Sequence, residues 1–498
     1  MNAAEQLLGQ AALAHHGGKT ALLCGEQALT YAELASLTAR SAGALQALGV
    51  RPGDRILLMM RDTPEFAAAW LGAVWAGAVA VALNSKLAPA DLRHVVRDSA
   101  AQLALVDDAL AAEGSAIAGD VRLVGSREWR DALATAAAPA AFPASAETPA
   151  LELYSSGTTG RPKGILHRHR SIAWVGASFR ELGVGANDRV FTTSRLFFAY
   201  GIEHGLLAPL ALGATAILCA DWPDTNSIVD IVERHRPTAM FSVPTVYRRL
   251  LADAPQRLAA FGAMRRFVAG GERLSAQLCA QWNKATGTEI LNLYGMSETF
   301  CACMVTPPGG SDGLRTGKPL PGVEVRLLDA QGGEPAPGEP GVLWLRHPAQ
   351  ADGYASLAEE TRAQFRDGWF CSRDLFTRDA AGYYIHQGRS DELIKVAGQW
   401  VQPAELEEVA AHDPAVGEAV CVPVYDADGL ERLALFVTPR GDAAAALRAA
   451  LEACERALPR YKRPKWVRTV DELPRTATGK VQRYKLREIL ERELESKD

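Results

Sequence analysis

The sequence predicts an α/β protein: a large N-terminal domain of helix-covered, mostly parallel sheets with a small β-barrel subdomain, followed by a small α+β C-terminal domain. Three observations predict it. The chain has 498 residues, more than a single hydrophobic core of about 250–300 residues accommodates. Apolar runs of strand length alternate with helical stretches from residue 30 to residue 243, the pattern of parallel strands covered by helices. From Gly322 the pattern changes to short β-rich runs broken by Gly and Pro, and after Arg389 to mixed helix and strand.

The elements follow in order. Thr30-Tyr-Ala-Glu33 reads as a capping box opening a helix to about Leu48, because the hydroxyl and the carboxylate each satisfy an amide at the helix start. Gly49 and Pro52-Gly53 end it, and residues 55–60 (RILLMM) form a strand. Residues 66–83 are uncharged for about the length of a membrane span, but Ala, Gly and Val dominate. We read them as a buried helix, a turn at Gly77 and a buried strand over 78–83. Strands are expected at 102–106, 189–194, 215–218 and 239–243, and helices at 171–182 and 227–235. Residues 132–150, rich in Ala and Pro, read as a flexible surface connection. Runs at 323–328 and 341–345 suggest a small antiparallel sheet or barrel. Beyond a boundary at about 390 come a helix near 403–411, strands near 419–423 and 433–438, and a helix over 443–457. The domains are therefore 1–389 and 390–498.

Bulk properties exclude several function classes. A net charge of −5 argues against nucleic-acid binding, which needs a basic footprint. Eight cysteines are too sparse for a disulfide scaffold, and Cys301 and Cys303 alone make a poor zinc site. All eight read as free thiols in a reducing cytosol. The N-terminus lacks the basic start and long apolar run of a signal peptide, so a cytoplasmic location is expected.

The chemistry concentrates in a few motifs. Residues 154–164 read YSSGTTGRPKG after an apolar strand at 150–154. The hydroxyls and backbone amides of Ser155, Ser156, Gly157, Thr158, Thr159 and Gly160 can converge on phosphate oxygens, and Lys163 adds a charge. The spacing is not that of a Walker loop, and Pro162 stops the helix such a loop would start. Further along stand Gly270-Gly271-Glu272, the run Asn292-Leu-Tyr294-Gly295-Met296-Ser297-Glu298, Asp374 in WFCSRDLF, Gly388-Arg389-Ser-Asp391 in GRSDELIK, and PRTATGK ending at Lys480. The loop resembles the signature of the adenylate-forming superfamily, which comprises acyl-CoA synthetases, peptide-synthetase adenylation domains and luciferases. The other motifs resemble that family's in the same order, so the resemblance covers almost the whole chain.

The resemblance implies an enzyme that joins a carboxylic acid to ATP as an acyl-adenylate, expels pyrophosphate, and passes the acyl group to coenzyme A. Two anions must meet, so cations must lie between them. Glu298 is the candidate Mg²⁺ ligand, since Mg²⁺ prefers one or two carboxylates plus phosphate oxygens and waters. Ser297 stands where the family has Thr and offers the same hydroxyl. Gly271 and Glu272 form the turn beside the adenine, Asn292 lies on the same motif as Tyr294, Tyr294 can stack on the base, Asp374 can accept from both ribose hydroxyls, and Arg389 adds a donor. Lys480 is the catalytic candidate, a compact charge suited to bridge the attacking carboxylate and the α-phosphate. Residues 456–487 hold eleven basic residues against two acidic ones, a solvated face or a rim that attracts phosphates. By resemblance the C-terminal domain is a mobile lid, with Asp391 at the hinge. Gly398, Gln399 and Trp400 then approach the thiol channel, where glycine lets the pantetheine pass. The family uses a lysine in the last motif as an acetylation site, which implies a lysine acetyltransferase as a partner acting on Lys480.

The acid is read from residues 196–201, LFFAYG, which resemble the pocket segment of benzoate-CoA ligases and related aryl-CoA ligases. Ala199, Tyr200, Gly201 and the backbone at Gly270 would suit a flat ring. Those ligases commonly continue Leu-Gly-Asn, where this chain has Ile202-Glu203-His204. They also place a His where this chain has Cys301. Glu203 or His204 then contacts a polar substituent, faces solvent or supports the fold, and a smaller Cys301 admits a ring substituent. The expected partners are a small-molecule carboxylic acid, ATP and coenzyme A, with no nucleic acid and no membrane span, on a monomer or homodimer. A stand-alone adenylation enzyme that loads an acyl-carrier protein is the alternative.

Overall fold

The computed structural model describes residues 1–156, 161–396, 399–426, 430–475 and 481–495. Gly157, Thr158, Thr159, Gly160, Gly398 and Lys480 lie outside the described residues, as do the side chains of Ser156 and Trp400.

Two helix-covered sheets carry the larger part of the chain. One runs, edge to edge, Arg122–Gly125, Leu103–Val106, Arg55–Met59, Val79–Ala82, Pro149–Ser156, Pro162–Arg168. All its pairs are parallel except the last, an antiparallel hairpin. The other has nine strands. At its centre Ile290–Gly295, Arg266–Gly270, Ala239–Ser242, Arg189–Thr192, Thr215–Ile217 and Thr20–Cys24 pair in parallel. Their buried runs match the continuous apolar pattern of sheets covered on both faces. A five-stranded antiparallel sheet, with Glu324–Leu328, Gly341–Arg346, Trp369–Arg378 and Tyr384–Arg389 among its strands, forms the half-barrel of the small β subdomain.

The local signals in the sequence act as the physics requires. Thr30 and Glu33 form the reciprocal capping box, and the helix runs Tyr31–Ala47. Residues 66–83 give the helix Pro64–Trp75 and the strand Val79–Ala82, both buried. Gly77 turns between them at φ +78°, and a Cβ there would lie 2.5 Å from the Phe142 ring, so only glycine fits. Among the described residues no helix is long and apolar enough to cross a membrane. All eight cysteines are free.

Two expectations are corrected. The helix expected at 171–182 is two short ones, His169–Ala173 and Ala177–Glu181. Gly176, at φ +86°, breaks the run, and Trp174 turns edge-on to His347 with ring centroids 4.5 Å apart. The connection at 132–150 is a pinned strap. Phe142 N–H donates to the Trp75 carbonyl at 2.8 Å, the Trp75 indole donates to the Pro139 carbonyl at 2.9 Å, and the Met1 amine to that of Ala144 at 2.8 Å.

Beyond Arg389 the chain forms the hairpin Ile394–Val396 with Gln399–Val401. It continues as a three-stranded sheet, Val416–Tyr425, Glu431–Pro439, Trp466–Thr469. Helices Pro403–Ala411 and Ala443–Ala457 bury Leu406, Ala446 and Ala450 on one face of it; Arg483–Glu495 buries Leu486 and Leu490 on the other. These cores share no residue with those of the larger part.

Candidate active site

The phosphate-loop motif closes the hairpin Pro149–Ser156/Pro162–Arg168, with Ser155 opposite Lys163 and Ser156 opposite Pro162. Pro162 opens a strand, which separates this loop from the strand–loop–helix of a Walker site. Beneath it the Tyr154 hydroxyl lies 2.8 Å from Asp98 Oδ2 and 3.1 Å from Glu152 Oε1. Glu152, 1% exposed, pairs with Arg55 at 2.6 Å. Ser155 is half-buried. Lys163, expected as a free charge, is 7% exposed and donates to Glu360 Oε2 at 2.5 Å. A phosphate must compete with that carboxylate for the ammonium. Glu360→Gln is therefore expected to lower the KM for ATP about 3- to 10-fold, the scale of one partly exposed ion pair, as steady-state kinetics at saturating acid will show; an increase would instead make Glu360 a positioner of Lys163.

The strand Ile290–Gly295 and its neighbours gather the nucleotide candidates. The Tyr294 hydroxyl donates to Asp374 Oδ2 at 2.5 Å, and its ring meets Phe376 edge-on, centroids 5.0 Å apart. Asp374 is 8% exposed. His386 Nε2 and an Arg389 guanidinium nitrogen each lie 3.5 Å from its Oδ1. Arg389 also forks onto Asp391 at 2.8 and 2.9 Å. Burial opposes ionisation of Asp391, but the Arg389 bonds outweigh it and hold the carboxyl below its ordinary range. The hinge candidate is thus bonded to the ribose candidates. Asn292 Nδ2 reaches the Arg315 carbonyl at 3.4 Å. Gly271 turns at φ +79° after the strand Arg266–Gly270, and Glu272 accepts from the Thr245 hydroxyl at 2.7 Å.

The loop after Gly295 is held from several sides. His167 Nε2 contacts the Ser297 carbonyl at 2.7 Å. Burial pushes His167 down to about 4, so the ring is neutral and donates there. Buried Thr299 donates to the Met296 carbonyl at 3.1 Å. Glu298 is half-buried, and its Oε1 accepts from Tyr354 at 2.8 Å.

The acid-pocket segment begins the helix Ala199–Ile202, continues through a π turn at Glu203–Leu207 and ends with Ala208–Ala211. A Cβ on Gly201 would lie 2.0 Å from the Arg195 carbonyl oxygen, so glycine is required there. The Tyr200 ring lies on Gly270, where a Cβ would be 2.9 Å from Cε2, and its hydroxyl donates to the Ser242 carbonyl at 3.2 Å. Ala199 is 9% exposed beside it. His204 and Cys301, read from sequence as acid-pocket residues, are both 1% exposed. His204 stacks on Phe241 at 4.7 Å, with its ring nitrogens at the Tyr200 carbonyl (2.9 Å) and the Ser178 hydroxyl (3.4 Å). The Cys301 thiol faces the Ser171 carbonyl at 3.6 Å.

In the smaller part, Gln399 is exposed and pairs with Val396. On either side of residues 476–480, Arg475 bridges Val481 and the Gln482 N–H donates to the Pro474 carbonyl at 2.7 Å. Arg273, next to Glu272, pairs with Glu408 of the helix Pro403–Ala411 at 3.0 Å. Sequence reasoning missed Tyr354, Glu360, His386 and Thr245. Each meets its partner only through the fold, and no local pattern marks it.

A family model described as AMP-binding enzyme matches residues 9–355, and one described as AMP-binding enzyme C-terminal domain matches residues 405–480. The chain belongs to the AMP-binding enzyme family. Among this adenylate-forming enzyme's relatives, a 3-hydroxybenzoate–CoA/4-hydroxybenzoate–CoA ligase of Thauera aromatica is 40% identical, covering 99% of this chain and 98% of the relative. A benzoate–CoA ligase of the same organism is 36% identical, covering 98% and 95%. A crystal structure of the anthranilate CoA ligase AuaEII with anthranoyl-AMP superimposes with TM-score 0.91 at 31% identity, over 98% of this chain and 97% of that one. One of a benzoate CoA ligase from Burkholderia xenovorans LB400 gives 0.90 at 34%, over 98% and 100%.

Proposed function

We propose that the chain is an ATP-dependent, AMP-forming ligase that joins a benzoate, with hydroxybenzoates first among the candidates, to coenzyme A. The observation that carries the aryl reading is Tyr200 laid against Gly270, a flat wall on the strand paired with the one that holds Tyr294. The hydroxybenzoate and benzoate ligases among the relatives support the substrate class.

In this reading Ser155, the loop 156–160 and Lys163 hold the phosphates, while Asp374, Tyr294 and Arg389 hold the ribose side. The acid carboxylate attacks the α-phosphorus, the bond to pyrophosphate breaks, and the acyl-adenylate forms. The coenzyme A thiol then loses its proton, attacks the carbonyl and displaces AMP. Glu298, a half-buried carboxylate steadied at one oxygen by Tyr354, fits an ion that fills its remaining sites with phosphate oxygens and waters. Mg²⁺ bound there would offset phosphate charge during the attack. Residues 390–498 would be the lid, which their separate cores support, and Lys480 the side chain it delivers.

The test is AMP release with coenzyme A present, across hydroxybenzoates, benzoate, anthranilate and medium-chain fatty acids. Preference for a benzoate with thioester formed is the expected result. Preference for fatty acids would remove the pocket reading, thioester formed only on a carrier protein would remove the acceptor, and no AMP-linked product would remove the function.

A further inference from the structure

The two departures from the aryl-ligase pattern, at Glu203 and at Cys301, face each other in the fold. Glu203 opens the π turn within the pocket helix, a turn type that inserts one residue and re-aims those that follow. Its carboxyl is 2% exposed. Oε2 accepts from the Ala302 N–H at 3.1 Å, next to Cys301, whose thiol donates to the Ser171 carbonyl at 3.6 Å. Ala302 opens the strand Ala302–Val305 that follows the loop from Glu298. The Ala302 carbonyl is met by His347 Nε2 at 3.2 Å.

Burial raises the Glu203 carboxyl to about 8, and the bond from Ala302 offsets only part of that. The titratable groups facing it are Tyr200 and His204 on its own helix and Cys301 and Cys303 opposite. Burial pushes Tyr200 and both thiols up and His204 down, so all four are neutral near pH 7. Ionisation of Glu203 would set an uncompensated charge among them.

We propose that Glu203 is a positioning residue for acid selectivity: its buried carboxyl clamps the Ala302 backbone, next to Cys301, to the helix that presents Ala199 and Tyr200 behind the acid pocket. The proposal rests on the aryl-acid reading. Loss of the clamp leaves the Ala302 N–H without its acceptor and loosens the wall behind the ring. Asp374 stands on a different sheet, while Ala302 pairs with Gly295 at the end of the strand that carries Tyr294, so the acid KM is the parameter expected to move most.

The experiment compares wild type, Glu203→Gln, Glu203→Leu, Cys301→Ala and Glu203→Leu/Cys301→Ala, by kcat and KM for acid and for ATP between pH 6 and 9. Glu203→Gln keeps an acceptor and cannot ionise. It is expected to hold the acid KM level where the wild-type value climbs through about pH 8. Glu203→Leu is expected to raise the acid KM about 10-fold or more, with the ATP KM changed less than about 2-fold, the cost of one unpaired buried donor. Adding Cys301→Ala is expected to cause less than the sum of the two losses, because both substitutions act on the same backbone at 301–302. Equal rises in both KM values, additive effects, or a Gln variant with the wild-type pH profile would each overturn the proposal; the Gln comparison stands even if the Leu variant does not fold. If wild type activates no aryl acid, the functional reading fails. The same comparison on whichever acid drives its pyrophosphate exchange then tests the clamp separately.

Discussion

Lys480→Ala is expected to lower acid-dependent pyrophosphate exchange about 100- to 1,000-fold, the scale of removing one charge-stabilising donor from a reacting centre. Thioester formation from a supplied aryl-adenylate is expected to stay within about 3-fold of wild type, less than one hydrogen bond's worth. The asymmetry follows from the chemistry of the two steps. In the first, an anionic carboxylate approaches an anionic phosphate, and a fixed positive charge between them is worth most. In the second, the thiol attacks an already activated carbonyl, and AMP leaves as a stable anion. Arg475 and Val481, on either side of residues 476–480, are bridged to each other, and alanine at 480 removes only the amine. Acetylation of the same amine removes the charge and is expected to reproduce the alanine phenotype. Equal losses in both half-reactions would show that Lys480 serves the lid's structure and not the first step alone.

How much of this was legible in the sequence depended on the range of the interaction. Capping boxes, glycine turns and buried strands are decided within a few residues, and the helix Tyr31–Ala47 and the Gly77 turn lie where the pattern puts them. The break at Gly176 was misread because a single glycine is tolerated in many helices. The bonds of Phe142 that pin the strap at 132–150 are made to residues more than sixty positions away, invisible to composition. The site divides in the same way. Asp374, Tyr294 and Arg389 were legible as motif residues, but that they share one hydrogen-bonded cluster was not. Glu360 on Lys163 and Tyr354 on Glu298 carried no local signal. His204 and Cys301 were assigned to the pocket by position along the chain; that both are buried was not legible there.

The second large effect is expected at Asp374. Two ribose hydroxyls donating to a carboxylate are worth about 1.5–3 kcal/mol each, so Asp374→Ala is expected to raise the KM for ATP about 100-fold or more. The acid KM is expected to change little. Alanine also strips the Tyr294 hydroxyl of its 2.5 Å acceptor and leaves Arg389 with Asp391 as its partner, so a drop in thermal stability should accompany the kinetic loss. Asp374→Asn separates the two effects. It keeps the shape and one acceptor oxygen while removing the charge, and is expected to restore most of the stability but only part of the affinity, leaving ATP about 10-fold weaker. Calorimetric binding of ATP to ligand-free protein, paired with melting curves, measures both quantities. If the Ala variant melts early yet binds ATP as wild type does, the carboxylate is a strut between Tyr294 and Arg389 and the ribose lies elsewhere. If binding falls while the Asn variant melts as wild type does, the carboxylate holds the ribose.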